Sequence, residues 1–165
     1  YVALKALNRE PNSVWSRADQ DNTRALIDKV QTLHANALKE DLKPLGEKRA
    51  AEIEDVLVGC CSSLAQGYER CSDKQRGNAT KLWLRTMDSH GGLSRAVAGE
   101  KIIRFAPQVG VPAVALRLEK RPDYGKNEWF PRVLRQLSKY AKSDFKTPAD
   151  FMAWWKVHKD DNTFR

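Results

Sequence analysis

Between Trp129 and His158 the chain reads WFPRVLRQLSKYAKSDFKTPADFMAWWKVH, and its apolar residues recur at helical spacing rather than strand spacing. Phe130, Val133, Leu134, Leu137, Tyr140 and Ala141 share one face of a first amphipathic helix. Phe151, Trp154, Trp155 and His158 repeat the i, i+3, i+4, i+7 pattern in a second. Thr147 stands where an N-cap belongs. Pro148 takes the first helical position, where a missing N–H costs nothing, and Asp150 lies near the positive end of the helix dipole. Neither helix can bury its apolar face alone, so each must pack against the other or against a neighbour.

The same period runs through the rest of the sequence. A helix is expected from about Ser16 to Leu42, with Leu26, Val30, Leu33 and Ala37 on its stripe and Ile27 widening it. A second runs from about Glu47 to Glu69, with Ile53, Leu57, Cys60 and Leu64 facing one way. The turn KPLGE lies between them. CSDKQRGN (71–78) breaks the pattern, and a shorter helix from Ala79 to Ser89 groups Leu82, Trp83 and Met87 before Gly91-Gly92, whose glycines suit a left-handed C-cap. Ser94 is placed to cap the next helix, which carries Val97, Ile102 and Ile103. Gly110 and Pro112 then open a segment with Val111, Val114, Ala115 and Leu118 on one side, and RPDYGKN forms a turn. No period-2 strand and no Asn-Gly or Asp-Gly hairpin signal occurs, so about seven helices joined by short turns predict an all-α fold. Stacked antiparallel hairpins and a closed helical bundle both satisfy that pattern.

Composition adds limits. A chain of 165 residues is long enough for a core without staples, and no apolar run approaches the ~20 residues that span a bilayer, so no membrane insertion is expected. Cys60, Cys61 and Cys71 make an odd set with an adjacent pair, which argues against a disulfide framework and favours a reducing, intracellular compartment. Cys60 continues an apolar stripe and reads as packing. The first residue is Tyr1 rather than Met, which reads as a processed or excised chain.

The segment from Ala96 to His158 resembles HEAT-type helical repeat proteins. APQVGVPAVALRLEKRPDYG is similar to the passage in which a turn leads through Val-Pro-Ala into a second helix. VLRQLSKYAKSDFKTPADFMAWW is similar to the closing motif of bacterial HEAT arrays, with Leu134, Leu137, Asp144, Phe145, Pro148, Trp154 and Trp155 at matching positions. Unequal helix lengths and the insertion DYGKNEWFP depart from the repeat, and no clean period of ~40 residues emerges. Residues 6–92 carry a second resemblance, to the small helical subunit of the actin-nucleating complex, through Ala6-Leu7, Ala35-Asn36, Gly67-Tyr68-Glu69, Ser72-Asp73, Trp83 and Gly91-Gly92. Both resemblances imply a helical superhelix that works through its surfaces. One all-α domain is expected over 1–165. Within it, 1–15 is a tail or helix end, 16–92 the first hairpins, 93–159 the HEAT-like hairpins and 160–165 a polar tail.

Little in the sequence proposes chemistry. His34, His90 and His158 share no ligand spacing, and no metal or other cofactor is expected. Asp88-Ser89-His90 has the residue types of a nucleophilic triad, but three consecutive residues cannot adopt its geometry. Asp19, Asp21, Asp28, Glu40 and Asp41 alternate with cations and read as a solvated face.

Charge is more informative. Of the net +8, +7 lies in residues 101–146, where eleven Lys and Arg stand against four Asp and Glu. Arg132, Arg135, Lys139 and Lys142 fall opposite the apolar face of their helix. Arg117, Lys120 and Arg121 end the preceding helix, and Lys126 lies in the turn between. With those two helices antiparallel, the cations form one strip near Tyr124 and Trp129 that is able to neutralise phosphates, with the rings as stacking surfaces. The plainer alternative is an ordinary solvated face or a surface for acidic protein. Trp155 reads either as core closure or, beside Trp154, as an aromatic anchor for a partner. The expectation is a non-enzymatic binding or scaffold module with a protein partner, and nucleic-acid binding through residues 117–142 is the alternative.

Overall fold

The computed structural model describes residues 17–161, with side chains described from residue 20 onward. The expected tail of residues 1–15 and the last residues of the 160–165 tail lie outside them. The described chain is all-α. Its helices are α1 (Arg17–Asp41), α2 (Glu47–Gly67), α3 (Asp73–Thr86), α4 (Gly92–Phe105), α5 (Pro107–Lys120), α6 (Phe130–Ala141) and α7 (Pro148–His158). Short 3-10 turns at Tyr68–Arg70 and Pro122–Lys126 join α2 to α3 and α5 to α6.

Most stripes point inward as the periodicity predicts. Ile53, Leu57, Cys60 and Leu64 of α2 are buried, and so are Val111, Val114, Ala115 and Leu118 of α5. Phe130, Val133, Leu134 and Leu137 of α6 join the same continuous core, which Phe151 and Trp155 of α7 close. Thr147 and Asp150 form a reciprocal capping box, with Asp150 N–H donating to Thr147 Oγ1 and Thr147 N–H to Asp150 Oδ2.

Four local expectations are corrected. The α1 stripe is turned by one residue. Leu33 is 44% exposed, whereas Ile27, Val30, His34 and Ala37 face the core, because Thr86 offers the imidazole a hydrogen bond. α3 begins at Asp73 rather than Ala79, since Ser72 and Gln75 make a second capping box that pulls the polar run into helix. Gly91 is the N-cap of α4, not a left-handed C-cap, and no described glycine has a positive φ. Gly110 and Pro112 lie inside α5, which starts at Pro107.

Helices pack on their first and second neighbours in sequence. α1 pairs with α2 and meets α3, α2 meets α4, α4 meets α6, and α5 meets α7. α4 is shared most widely, touching α2, α3, α5 and α6. Its small residues Ala96, Ala98 and Gly99 are buried and let neighbours approach closely from several sides. At the α4–α5 crossing, a Cβ on Gly110 would lie 2.8 Å from the backbone of Ile102 and Ile103, so only glycine fits.

Candidate binding surface

The carboxylates that meet the C-terminal cations divide them into two groups. Arg117, at the end of α5, gives its Nε to Asp88 Oδ1 at 3.0 Å, and its Nη atoms to Asp88 Oδ2 and to the carbonyls of Ala113 and Leu84. It is a clamp between α5 and the end of α3. Arg121 reaches the same Asp88 at 2.9 Å and rides over the Tyr124 ring. Arg132 of α6 pairs with Glu100 of α4 at 2.9 Å. Burial raises the Glu100 pKa, but hydrogen bonds from Lys101 and Arg132 outweigh it and leave it below the usual carboxylate value. These three arginines hold helices together.

Lys120, Lys126, Arg135, Lys139 and Lys142 are exposed and make no ion pair among the described residues. On α6, Arg132, Arg135, Lys139 and Lys142 follow spacings of three, four and three, which align them along one outer ridge ~15 Å long. Lys142 ends the ridge as a left-handed cap at φ 52°. Trp129, 40% exposed, stands one turn before Arg132 at the other end. Asn127 holds it there, accepting from Trp129 N–H at 3.0 Å and donating to Gly92 O at 2.7 Å.

The other two aromatic candidates lie inside the fold. Tyr124 is buried edge-on against Phe130 at 5.7 Å between ring centres, and burial pushes its hydroxyl up to about 12. Trp155 is buried in the core, while Trp154 is partly exposed and stacks on His158 at 4.6 Å. Neither Tyr124 nor Trp155 offers a face to a ligand. α5 and α6 are joined through the 3-10 turn rather than packed broadly on one another, and each packs on α4.

The triad-like residues point apart. Asp88 serves two arginines, Ser89 Oγ bonds Ser94 Oγ at 2.8 Å, and His90 Nδ1 lies 3.3 Å from Asp41 Oδ2. Asp41, expected on a solvated face, is buried and accepts from His90 N–H at 3.0 Å. Among the described residues no group of three His, Cys, Asp or Glu is arranged to hold a metal ion.

A second basic region, not anticipated from the sequence, lies at the other end of the chain. Arg24, Arg70 and Arg76 line a cleft beside the 3-10 turn at Tyr68–Arg70. Near it, Tyr68, Trp83 and Phe105 stack at 4.9–5.9 Å, with Arg76 over Tyr68 and Arg104 over Phe105. The Ser72-x-x-Gln75 capping signal was the available clue, since it makes Arg76 helical and brings it to the cleft wall.

Comparison with family models, with curated proteins and with solved structures gives no match. Among the described residues no helix is long and apolar enough to cross a membrane.

Proposed function

We propose that this chain is a non-enzymatic helical binding module that docks an acidic protein surface on the α6 ridge, with Trp129 as its aromatic anchor. The observation that carries the reading is the partition of cations. Carboxylates hold Arg117, Arg121 and Arg132, whereas Arg135, Lys139 and Lys142 have none among the described residues. A ridge of unneutralised charge on a rigid helix favours complementary charge in a partner, and an exposed Trp beside it supplies desolvated contact area. Packing on first and second neighbours, as in stacked hairpins, supports the HEAT-like scaffold reading. Of the three aromatic candidates, Tyr124 and Trp155 are buried and Trp129 is exposed, so the basic region offers few rings for stacking bases, which favours protein over single-stranded nucleic acid.

Fluorescence anisotropy tests this with labelled Asp/Glu-rich peptides, with and without an aromatic residue, beside duplex and single-stranded DNA and RNA at low and high salt. The expected result is saturable binding of the aromatic-containing peptide, lost when Arg135, Lys139 and Lys142 are all changed to Glu. Nucleic-acid binding that falls steeply with salt, without peptide binding, replaces the protein reading. No binding by either class removes the ridge as the functional surface.

A further inference from the structure

The cleft at the N-terminal end of the described chain lies far in sequence from the α6 ridge and has its own chemistry. Gln20, Thr23 and Arg24 of α1 form one wall, Glu69, Arg70 and Cys71 form the other, and Arg76 of α3 completes it, around about 330 Å³. That size falls at the lower end for small-molecule sites. Among the described residues, the guanidiniums of Arg24 and Arg76 line the cleft with one carboxylate, that of Glu69, which forms no ion pair with a described residue. The nearby Asp28 carboxylate is taken by the Gln75 amide at 2.7 Å.

Arg76 is incompletely satisfied. One Nη donates to the Glu69 main-chain carbonyl at 3.3 Å, the guanidinium lies over the Tyr68 ring at 5.8 Å, and the buried Nε has no acceptor. Among the described residues no carboxylate neutralises it. Arg24 is exposed and unpaired among the described residues. A partly desolvated guanidinium without an anion carries a free-energy cost that a bound oxyanion would offset.

The walls are held in place before any ligand arrives. Gln75 is buried and ties α1 to the start of α3, donating to Arg24 O at 2.9 Å while its own carbonyl accepts from Gln31 Nε2 at 2.7 Å. Cys71 Sγ donates to Gly67 O at 3.5 Å, and burial pushes its thiol up to about 11. That thiol stays protonated and serves as part of the wall.

From the cleft and from the guanidiniums of Arg24 and Arg76, neither paired with a carboxylate among the described residues, we propose that this site binds a phosphate-type oxyanion, either free phosphate or the phosphate of a small phosphomonoester. Arg24 and Arg76 ligate the oxygens, and the Gln20 amide and Thr23 hydroxyl border the remainder of the ligand.

The test is isothermal titration calorimetry of the full chain with inorganic phosphate and, separately, glycerol 3-phosphate, with circular dichroism checking that each variant folds. One site per chain is expected. Arg24→Gln, an exposed change that leaves the core untouched, weakens binding about tenfold or more. Arg76→Lys keeps the charge but loses the planar fork, and weakens it as well. Arg135→Gln on α6 leaves it unchanged. Tighter binding of glycerol 3-phosphate identifies an ester as the ligand, and equal binding identifies phosphate itself. Absence of heat with both compounds, or an equal loss in Arg135→Gln, overturns the proposal.

Discussion

His34 has no exposed surface and lies where α1, α2 and α3 meet, with Thr86 Oγ1 at 2.7 Å and Cys61 Sγ at 4.0 Å from its Nε2. Thr86 gives its own proton to Leu82 O at 2.8 Å, so it accepts from His34 Nε2–H. Nδ1 is left buried without a partner, and a proton there would place a bare charge in the core. Burial, and after it the charge of Arg85, lowers the His34 pKa from 6.5 to about 4. The unfolded chain therefore binds this proton more readily between those two values. The stabilisation is complete above pH 6.5 and is lost as pH falls towards 4. Unfolding free energies from denaturant titrations at pH 7 and pH 5 are expected to differ by about 2 kcal/mol through this residue. His34→Gln is expected to be less stable at pH 7 but to lose most of that dependence. The carboxylates of Glu100 and Asp150, with pKa values below their ordinary ones, lose their contribution at lower pH and do not mimic the effect. An equal pH slope in His34→Gln would show that the imidazole is not held neutral.

Helix ends and crossings show what a one-dimensional pattern conveys and what it omits. Glu54 of α2 reaches the start of α4, where its Oε1 accepts from the N–H groups of Leu93 at 2.8 Å and Ser94 at 3.1 Å. It supplies the cap that Ser94 was expected to give, while Ser94 turns inward to Ser89 and to Gly91 O. A Cβ on Gly91 would collide with that carboxylate and displace it from the cap. Glu54→Ala is expected to cost about 1–2 kcal/mol in chemical denaturation, and Glu54→Gln roughly half, since an amide oxygen still accepts. Glycine predictions diverge by position. Gly110→Ala forces a methyl into the α4 backbone and is expected to cost about 2–3 kcal/mol. Gly77→Ala, in the exposed interior of α3 with open space around it, is expected to gain about 0.5–1 kcal/mol. Equal shifts in melting temperature for the two would contradict the crossing geometry. The stripes of α2, α5 and α6 were legible because burial follows a local period. Glu54 capping a helix about forty residues away was not, nor was Asp88 gathering Arg117 and Arg121. Those partners come together only through the fold, so local charge patterning did not show that Asp88 and Glu100 hold three of the cations expected in one strip. The Arg24–Arg76 cleft was hidden for the same reason, with walls supplied by helices about fifty residues apart.

Across the whole molecule, stability is expected to be graded outward from α4. This helix packs on α2, α3, α5 and α6, and Ile102, Ile103, Val97 and Ala98 on it are almost wholly buried. Opening α4 would strip four neighbours of their packing surface at once, so its amides have no cheap route to solvent. α7 is different. It packs mainly on α5 and α6, and Val157 near its end is 74% exposed. Its attachment depends on Phe151, Trp155 and the Phe145 ring, which meets Phe151 edge-on at 5.7 Å. Native-state hydrogen exchange across a denaturant series separates these cases. Amides of α4 are expected to exchange only through global unfolding, with an opening free energy equal to that from chemical denaturation. Amides of α7 are expected to exchange through a smaller opening with a shallower denaturant slope. Phe151→Ala sharpens the test, because removing this buried ring is expected to cost about 3–5 kcal/mol locally. It should lower α7 protection first and leave α4 following the global transition. If α7 and α4 instead lose protection together in the wild type, α7 is an integral part of the core rather than its closing piece. Closing helices of stacked arrays shield an apolar flank and are held from one side only, and early, separate opening of α7 is the behaviour that such a role requires.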